Sequence, residues 1–294
     1  MLKKLIKYDI LSVWRLWWIA AATVPVAAFI GAFSIRALRE QQLIELGGLV
    51  ATEDFVTPYL RVALGFAVFA SIVAIILSCA LTTVLVCFRF YKNLYTDEGY
   101  LTFTLPVTRK QILFSKTLNA FIWLALQGIL VAIAMLIFFM FGSAPVNGGF
   151  INFEPIEVFA RLFVEMWDAF GAWSILMGLE FILWWILSTV QGIAAIYLSI
   201  TIGAIIAKKA KIIASIGIYY LVNGAVSLIW NIAFSIFLFG MLQGFAVLMD
   251  AGNGNEQNAI ICLILMIAVA FTGIISTVLY TLTQHLLDRK LNLA

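Results

Sequence analysis

Residues 62–88, VALGFAVFASIVAIILSCALTTVLVCF, run from Arg61 to Arg89 without one charged side chain. As a helix this stretch would extend about 40 Å at 1.5 Å per residue, enough to cross a hydrocarbon layer of about 30 Å. In hydrocarbon each backbone N–H and C=O needs a partner inside the protein, which makes a helix the natural state of such a run. The rest of the chain has the same character. It is 64% hydrophobic and 11% charged, with a mean hydropathy of +1.08, whereas soluble domains carry about 25% charged residues. So little charge cannot clothe a water-facing surface, and no stretch has the polar balance of a separate soluble domain.

Working outward, five more runs have this character, and together they predict an all-α membrane protein of six transmembrane helices in a single domain, 1–294. The spans are expected at about 16–35, 62–88, 113–141, 173–207, 212–236 and 258–284. Gly142, Pro145, Gly148 and Gly149 end the third near Phe141. The fifth run continues to Met249, too far for one straight span. Asn223, Gly224, Asn231, Gly240 and Gly244 offer break points, with a bent or re-entrant piece expected before Asp250. Lys3, Lys4 and Lys7 ahead of an apolar run resemble a signal peptide, but Trp14, Arg15, Trp17 and Trp18 disturb that layout, and a retained first span is expected.

Charge sorts the two sides. With the N-terminus inside, 14 of the 18 Lys and Arg fall on inner segments, leaving Arg36, Arg39, Arg61 and Arg161 outside with ten of the acids. The positive-inside rule then predicts cytoplasmic N- and C-termini. Residues 1–15 are expected to form an amphipathic interfacial helix, with Leu2, Leu5, Ile6, Ile10, Val13 and Trp14 on one side and Lys4, Lys7 and Arg15 on the other. Its partner is either membrane lipid, through anionic headgroups, or a cytoplasmic protein. Asp9 falls on the apolar side and spoils the pattern.

Local chemistry excludes several classes. No GxxxxGK[ST], HExxH or GxSxG motif occurs, so no cofactor is expected in this chain and the chain is not expected to be an enzyme. Cys79, Cys87 and Cys262 lie in apolar runs without a CxxC and read as small buried hydrophobes, and His285 alone cannot make a histidine metal site. No nucleic-acid partner is expected.

The inner segment 89–112 carries the most information: RFYKNLYTDEGYLTFTLPVTRKQI. Thr108 and Gln111 make a capping box that starts the helix into span three, and Pro106 keeps Leu105 out of helical conformation. Thr96 can cap a short cytoplasmic helix over about 96–104, with Asp97 and Glu98 at its positive end. Tyr95, Tyr100, Phe103 and Leu105 suit either a groove on a partner protein or the inner headgroup belt.

From Arg89 to Lys116 the sequence resembles the span-two to span-three region of bacterial ABC-2 type permeases, the membrane subunits of ATP-binding cassette exporters. The order of parts is similar too: a basic amphipathic N-terminal helix, six spans, a long outer loop over 142–172 and a short inner loop at Lys208, Lys209 and Lys211. The resemblance implies that the segment is a coupling helix seated in a cleft of a separate ABC ATPase subunit, through Tyr95, Asp97, Glu98, Gly99, Tyr100, Leu101, Phe103, Leu105 and Pro106. ATP and Mg would then be held by that ATPase. It further implies a second permease subunit, identical or related, and outward transport of an amphipathic substrate such as a peptide or peptide antibiotic. The other reading is a non-transporting scaffold or sensor that recruits a cytoplasmic regulator.

Polar residues that could line a pathway are Glu180, Gln127, Gln191, Asn223 and Asn231, with Asn119 beside them; interhelical hydrogen bonding is the alternative use of the amides. A span from Trp184 to Ile206 would leave Glu180 at the outer interface. Within the outer loop, Phe159, Phe163, Trp167 and Phe170 alternate with Glu154, Glu157, Glu165 and Asp168, as in an amphipathic helix on the membrane surface.

Overall fold

The computed structural model describes residues 2–46, 56–96, 99, 107–143, 154–207, 210–249 and 254–290. Among these the chain forms α1 (Leu2–Leu46), α2 (Val56–Tyr95), α3 (Arg109–Gly142), α4 (Glu154–Phe170), α5 (Trp173–Ile206), α6 (Lys211–Met249) and α7 (Gly254–Lys290), and no strand. All but α4 are long and apolar enough to cross a membrane, which makes this a multi-pass membrane protein. Serine and threonine do not break these helices, because their hydroxyls donate to carbonyls one turn back on the same helix. Thr117 bonds Leu113, Ser199 bonds Ala195 and Thr272 bonds Ala268 in this way.

Two boundaries differ from expectation. The N-terminal helix does not stop at residue 15; α1 continues through Pro25 to Leu46. No glycine or proline stands between Leu2 and Thr23 to end it. Nor does the fifth run break after 236: α6 remains helical through Asn223, Gly224, Asn231, Gly240 and Gly244 to Met249. Asn231 turns its amide back on its own helix, donating to the Ser227 carbonyl at 2.8 Å. An apolar surrounding penalises any unpaired backbone group, so residues that end helices in water do not end this one. The loop between the third and fourth spans holds a helix at Glu154–Phe170, and its described side chains from Ile156 to Asp168 are all exposed.

The chain divides into two compact units. The first comprises residues 1–9, 87–121 and 165–294. Its core is α5, which packs along both α6 and α7 while those two scarcely touch each other. Ala194, Ala195, Leu198, Val226 and Leu279 form the buried cluster. The Ser276 hydroxyl donates to the Leu187 carbonyl at 3.2 Å, and contacts advance together along both helices, so α5 and α7 run parallel. A Cβ on Gly203 would lie 2.6 Å from the Ser215 nitrogen; only glycine lets α5 and α6 meet that closely after a connection of four residues (207–210).

The second unit comprises residues 10–86 and 122–164. Val24, Ala28 and Ala134 are its buried apolar cluster, ringed by Ile75, Leu130, Ile137 and Phe138. The Trp17 and Trp123 rings lie 4.9 Å apart. A Cβ on Gly31 would meet the Phe138 ring at 2.2 Å, so α1 admits that ring only where it has no side chain.

Candidate functional site

The segment between α2 and α3 is anchored at both ends in the first unit. At the α2 end, Phe90 and Leu94 are fully buried. The Phe90 ring stacks on Tyr197 of α5 at 3.7 Å between centroids and 7° between planes. The Tyr95 hydroxyl donates to Thr201 Oγ1 at 2.7 Å, and Thr201 in turn donates to the Tyr197 carbonyl at 2.7 Å. A ring stack and a buried hydrogen-bonded chain thus clamp the last turn of α2 onto α5. The Thr96 hydroxyl donates back to the Lys92 carbonyl and closes α2.

At the α3 end the capping box forms as its spacing predicts. The Thr108 nitrogen donates to Gln111 Oε1 at 3.2 Å, and the Gln111 nitrogen to Thr108 Oγ1 at 3.4 Å. Arg109 Nη1 donates to the carbonyls of Leu287 and Asp288 at 2.6 and 2.9 Å, satisfying orphan acceptors in the last turn of α7. The start of α3 is thereby tied to the end of α7.

Behind these anchors lies a buried polar cluster that sequence reasoning missed. Lys116 Nζ donates to Asp9 Oδ1, Ser115 Oγ donates to Asp9 Oδ2 at 3.0 Å, and the Tyr197 hydroxyl donates to the Lys116 carbonyl at 3.1 Å. Asp9 and Lys116 are 6% and 4% exposed. The acid that spoiled the amphipathic pattern of the N-terminal helix is therefore the partner of a buried lysine. Its misplacement was the one available signal; its partner, 107 residues away, left none.

Of the residues assigned to the coupling segment, Tyr95 and Gly99 are described. Tyr95 is turned into the bundle as an anchor. Gly99 is buried, its nitrogen donates to the Thr96 carbonyl at 2.8 Å, and a Cβ there would come within 2.7 Å of the Leu94 carbonyl oxygen. Asp97, Glu98, Tyr100, Leu101, Phe103, Leu105 and Pro106 lie outside the described residues.

The polar residues considered for a pathway are divided between the two units. Gln127 is buried in the second unit, donating to Ser78 Oγ at 3.0 Å and accepting from Thr82 Oγ1 at 3.2 Å, while Ser78 donates to the Ala20 carbonyl at 2.6 Å. It joins α1, α2 and α3 as interhelical glue. Asn119 is likewise buried and Gln191 half-buried. Asn223 and Asn231 are exposed on α6. Glu180 is 7% exposed, and neither carboxylate oxygen has a hydrogen-bond partner among the described residues. Among the described residues no cluster of His, Cys, Asp and Glu is suited to a metal ion.

Compared with known proteins, the chain matches no family model, no curated protein and no solved structure.

Proposed function

We propose that the chain is the permease subunit of an ATP-binding cassette exporter, driven through the 96–108 segment by a separate ATPase. The observation that carries this is the double anchorage of that segment: Tyr95 to Thr201 on one side and Arg109 to the end of α7 on the other. A loose connector needs no such fixing. A lever does, because a push on the segment reaches α5 and α7 only if its ends cannot slip. The resemblance of residues 89–116 to ABC-2 permeases supports the same reading, as does the absence of a phosphate loop from the whole sequence. The segment lies on the cytoplasmic side in this account, following the sorting of Lys and Arg.

A second copy of the permease is the other partner, and α6 supplies the support. Of its apolar stretch only 6% is buried, against 50% for α5. Opposite the packed face marked by Ser215 and Val226, exposed Gly217, Tyr220, Gly224, Ser227 and Asn231 recur at alternating spacings of three and four, the seam of a left-handed helix pair. Added Cβ atoms on Gly217 and Gly224 would meet nothing within 4 Å. Two copies related by an axis along the membrane normal bring each residue opposite itself at equal depth, where an amide both donates and accepts. Asn223 and Asn231 then flank a path for an amphipathic substrate between subunits, and ATP-driven movement of the segment opens it outward.

The test replaces Tyr100 and Phe103 together with Ala. Co-purification of the cognate ATPase and ATP-dependent export should both fall while the permease remains folded. Unchanged association with unchanged transport removes the coupling role and favours a recruiting scaffold.

A further inference from the structure

We infer that the groove between α5 and α7 holds one acyl chain of a membrane phospholipid, with Tyr280 donating to the ester carbonyl at the head of that chain. The groove has a volume of about 580 Å³ and lies within the first unit. Leu187 and Val190 of α5 form one wall; Ala270, Gly273, Ile274 and Thr277 of α7 form the other. Positions 270, 273, 274 and 277 share one face of a helix. That face is small just where two parallel helices meet, and the groove results. Gly273 has no side chain, and a Cβ there would find Leu187 at 3.7 Å and nothing nearer. Ile274 and Val278 at the rim are exposed, so the groove is continuous with the apolar surface that a membrane protein turns to lipid.

Chemistry and length select the occupant. The hydroxyls in the walls are already turned to carbonyls: Ser276 donates to Thr272 and Leu187 at 2.8 and 3.2 Å, and Thr277 to Gly273 at 2.8 Å. What remains for a guest is hydrocarbon, and no charged side chain is among the lining residues. From Ala270 to Tyr280 the groove extends about 15 Å at 1.5 Å per residue, half of a hydrocarbon layer of about 30 Å. It starts near the middle of the span expected at 258–284 and ends one turn short of that span's C-terminal edge. This is the reach of a chain from one leaflet. A helix from a second copy would cross both leaflets and find the groove along only half its length. At the C-terminal end stands Tyr280, half-buried, its hydroxyl without a hydrogen-bond partner among the described residues. A tyrosine suits the level where hydrocarbon gives way to polar groups, its ring in one and its hydroxyl toward the other. Lipid tails are as apolar as leucine, so no hydrophobic drive acts here. Binding comes from filling a gap that would otherwise forfeit dispersion contacts, and from one hydrogen bond. The guest is chosen by its chain and not by its headgroup.

The test uses the full chain purified in mild detergent, with palmitoyl-oleoyl phosphatidylcholine as the probe. Native mass spectrometry should show one phospholipid retained per chain after washing, and equally with phosphatidylglycerol. Gly273→Leu, which fills the floor of the groove, should abolish retention. Tyr280→Phe should lower it a few-fold, as expected for one hydrogen bond. Gly217→Leu, at an open site on α6, should leave it unchanged. In the wild type, a phosphatidylcholine with a diazirine in mid-chain should label residues 187–190 and 270–280 above the other exposed faces, a result that stands even if Gly273→Leu does not fold. Three outcomes overturn the inference: retention that Gly273→Leu leaves unchanged or that follows headgroup charge, labelling spread evenly over the lipid-facing helices, or chains linked in pairs through Thr277→Cys in a background without other cysteines. No nucleotide or ATPase is involved, so failure here is separate from failure of the exporter reading.

Discussion

At the residue scale the buried polar contacts decide stability. Replacing Asp9 with Asn leaves Lys116 charged and enclosed, and loss of one partner of a buried pair costs about 3–5 kcal/mol. Thermal unfolding in detergent should show Asp9→Asn and Lys116→Met each strongly destabilised, and the double variant less so than the sum of the two. Additive losses would mean that the two side chains do not pair. Gln127→Leu should cost less, about 0.6–2 kcal/mol, as expected for hydrogen bonds between membrane helices. These residues differ in how far the sequence disclosed them. An amide amid apolar neighbours has few uses, so its role as glue was readable at Gln127. For Asp9 and Glu180 the sequence showed an acid out of place but not its surroundings, because burial is set by helices distant along the chain.

At the element scale, local chemistry was read well and helix ends less well. The Thr108–Gln111 box depends on residues three apart and forms as written. The stop after 236 applied a rule learned from water, where glycine and asparagine expose backbone at little cost. Within an apolar medium the helix continues instead. The clamp at the end of α2 belongs to this scale. Tyr95→Phe keeps the ring and removes only the hydrogen bond to Thr201, so the fold should survive. Under the lever account, transport per ATP hydrolysed should fall while ATPase binding persists. A variant that transports with full efficiency would show that this anchor transmits nothing. Gly203→Leu should separate α5 from α6 and lower the unfolding temperature much more than Gly217→Leu, whose site is open.

At the scale of the whole molecule, composition alone gave the class, since a chain 64% hydrophobic has few folds available. Sidedness and assembly come from patterns rather than contacts. In a background lacking Cys79, Cys87 and Cys262, Gly224→Cys should form disulfide-linked pairs of chains in membranes. Ile229→Cys, turned away from the seam on the same helix, should not. Equal cross-linking at both positions would remove α6 as the subunit boundary. The proposed coupling is tested most directly at the segment joining α2 to α3. A photoreactive residue in place of Tyr100, irradiated in native membranes, should attach to a cytoplasmic chain that carries a phosphate loop. Attachment to no nucleotide-binding chain, together with labelling of that position from outside the cell, would contradict the account.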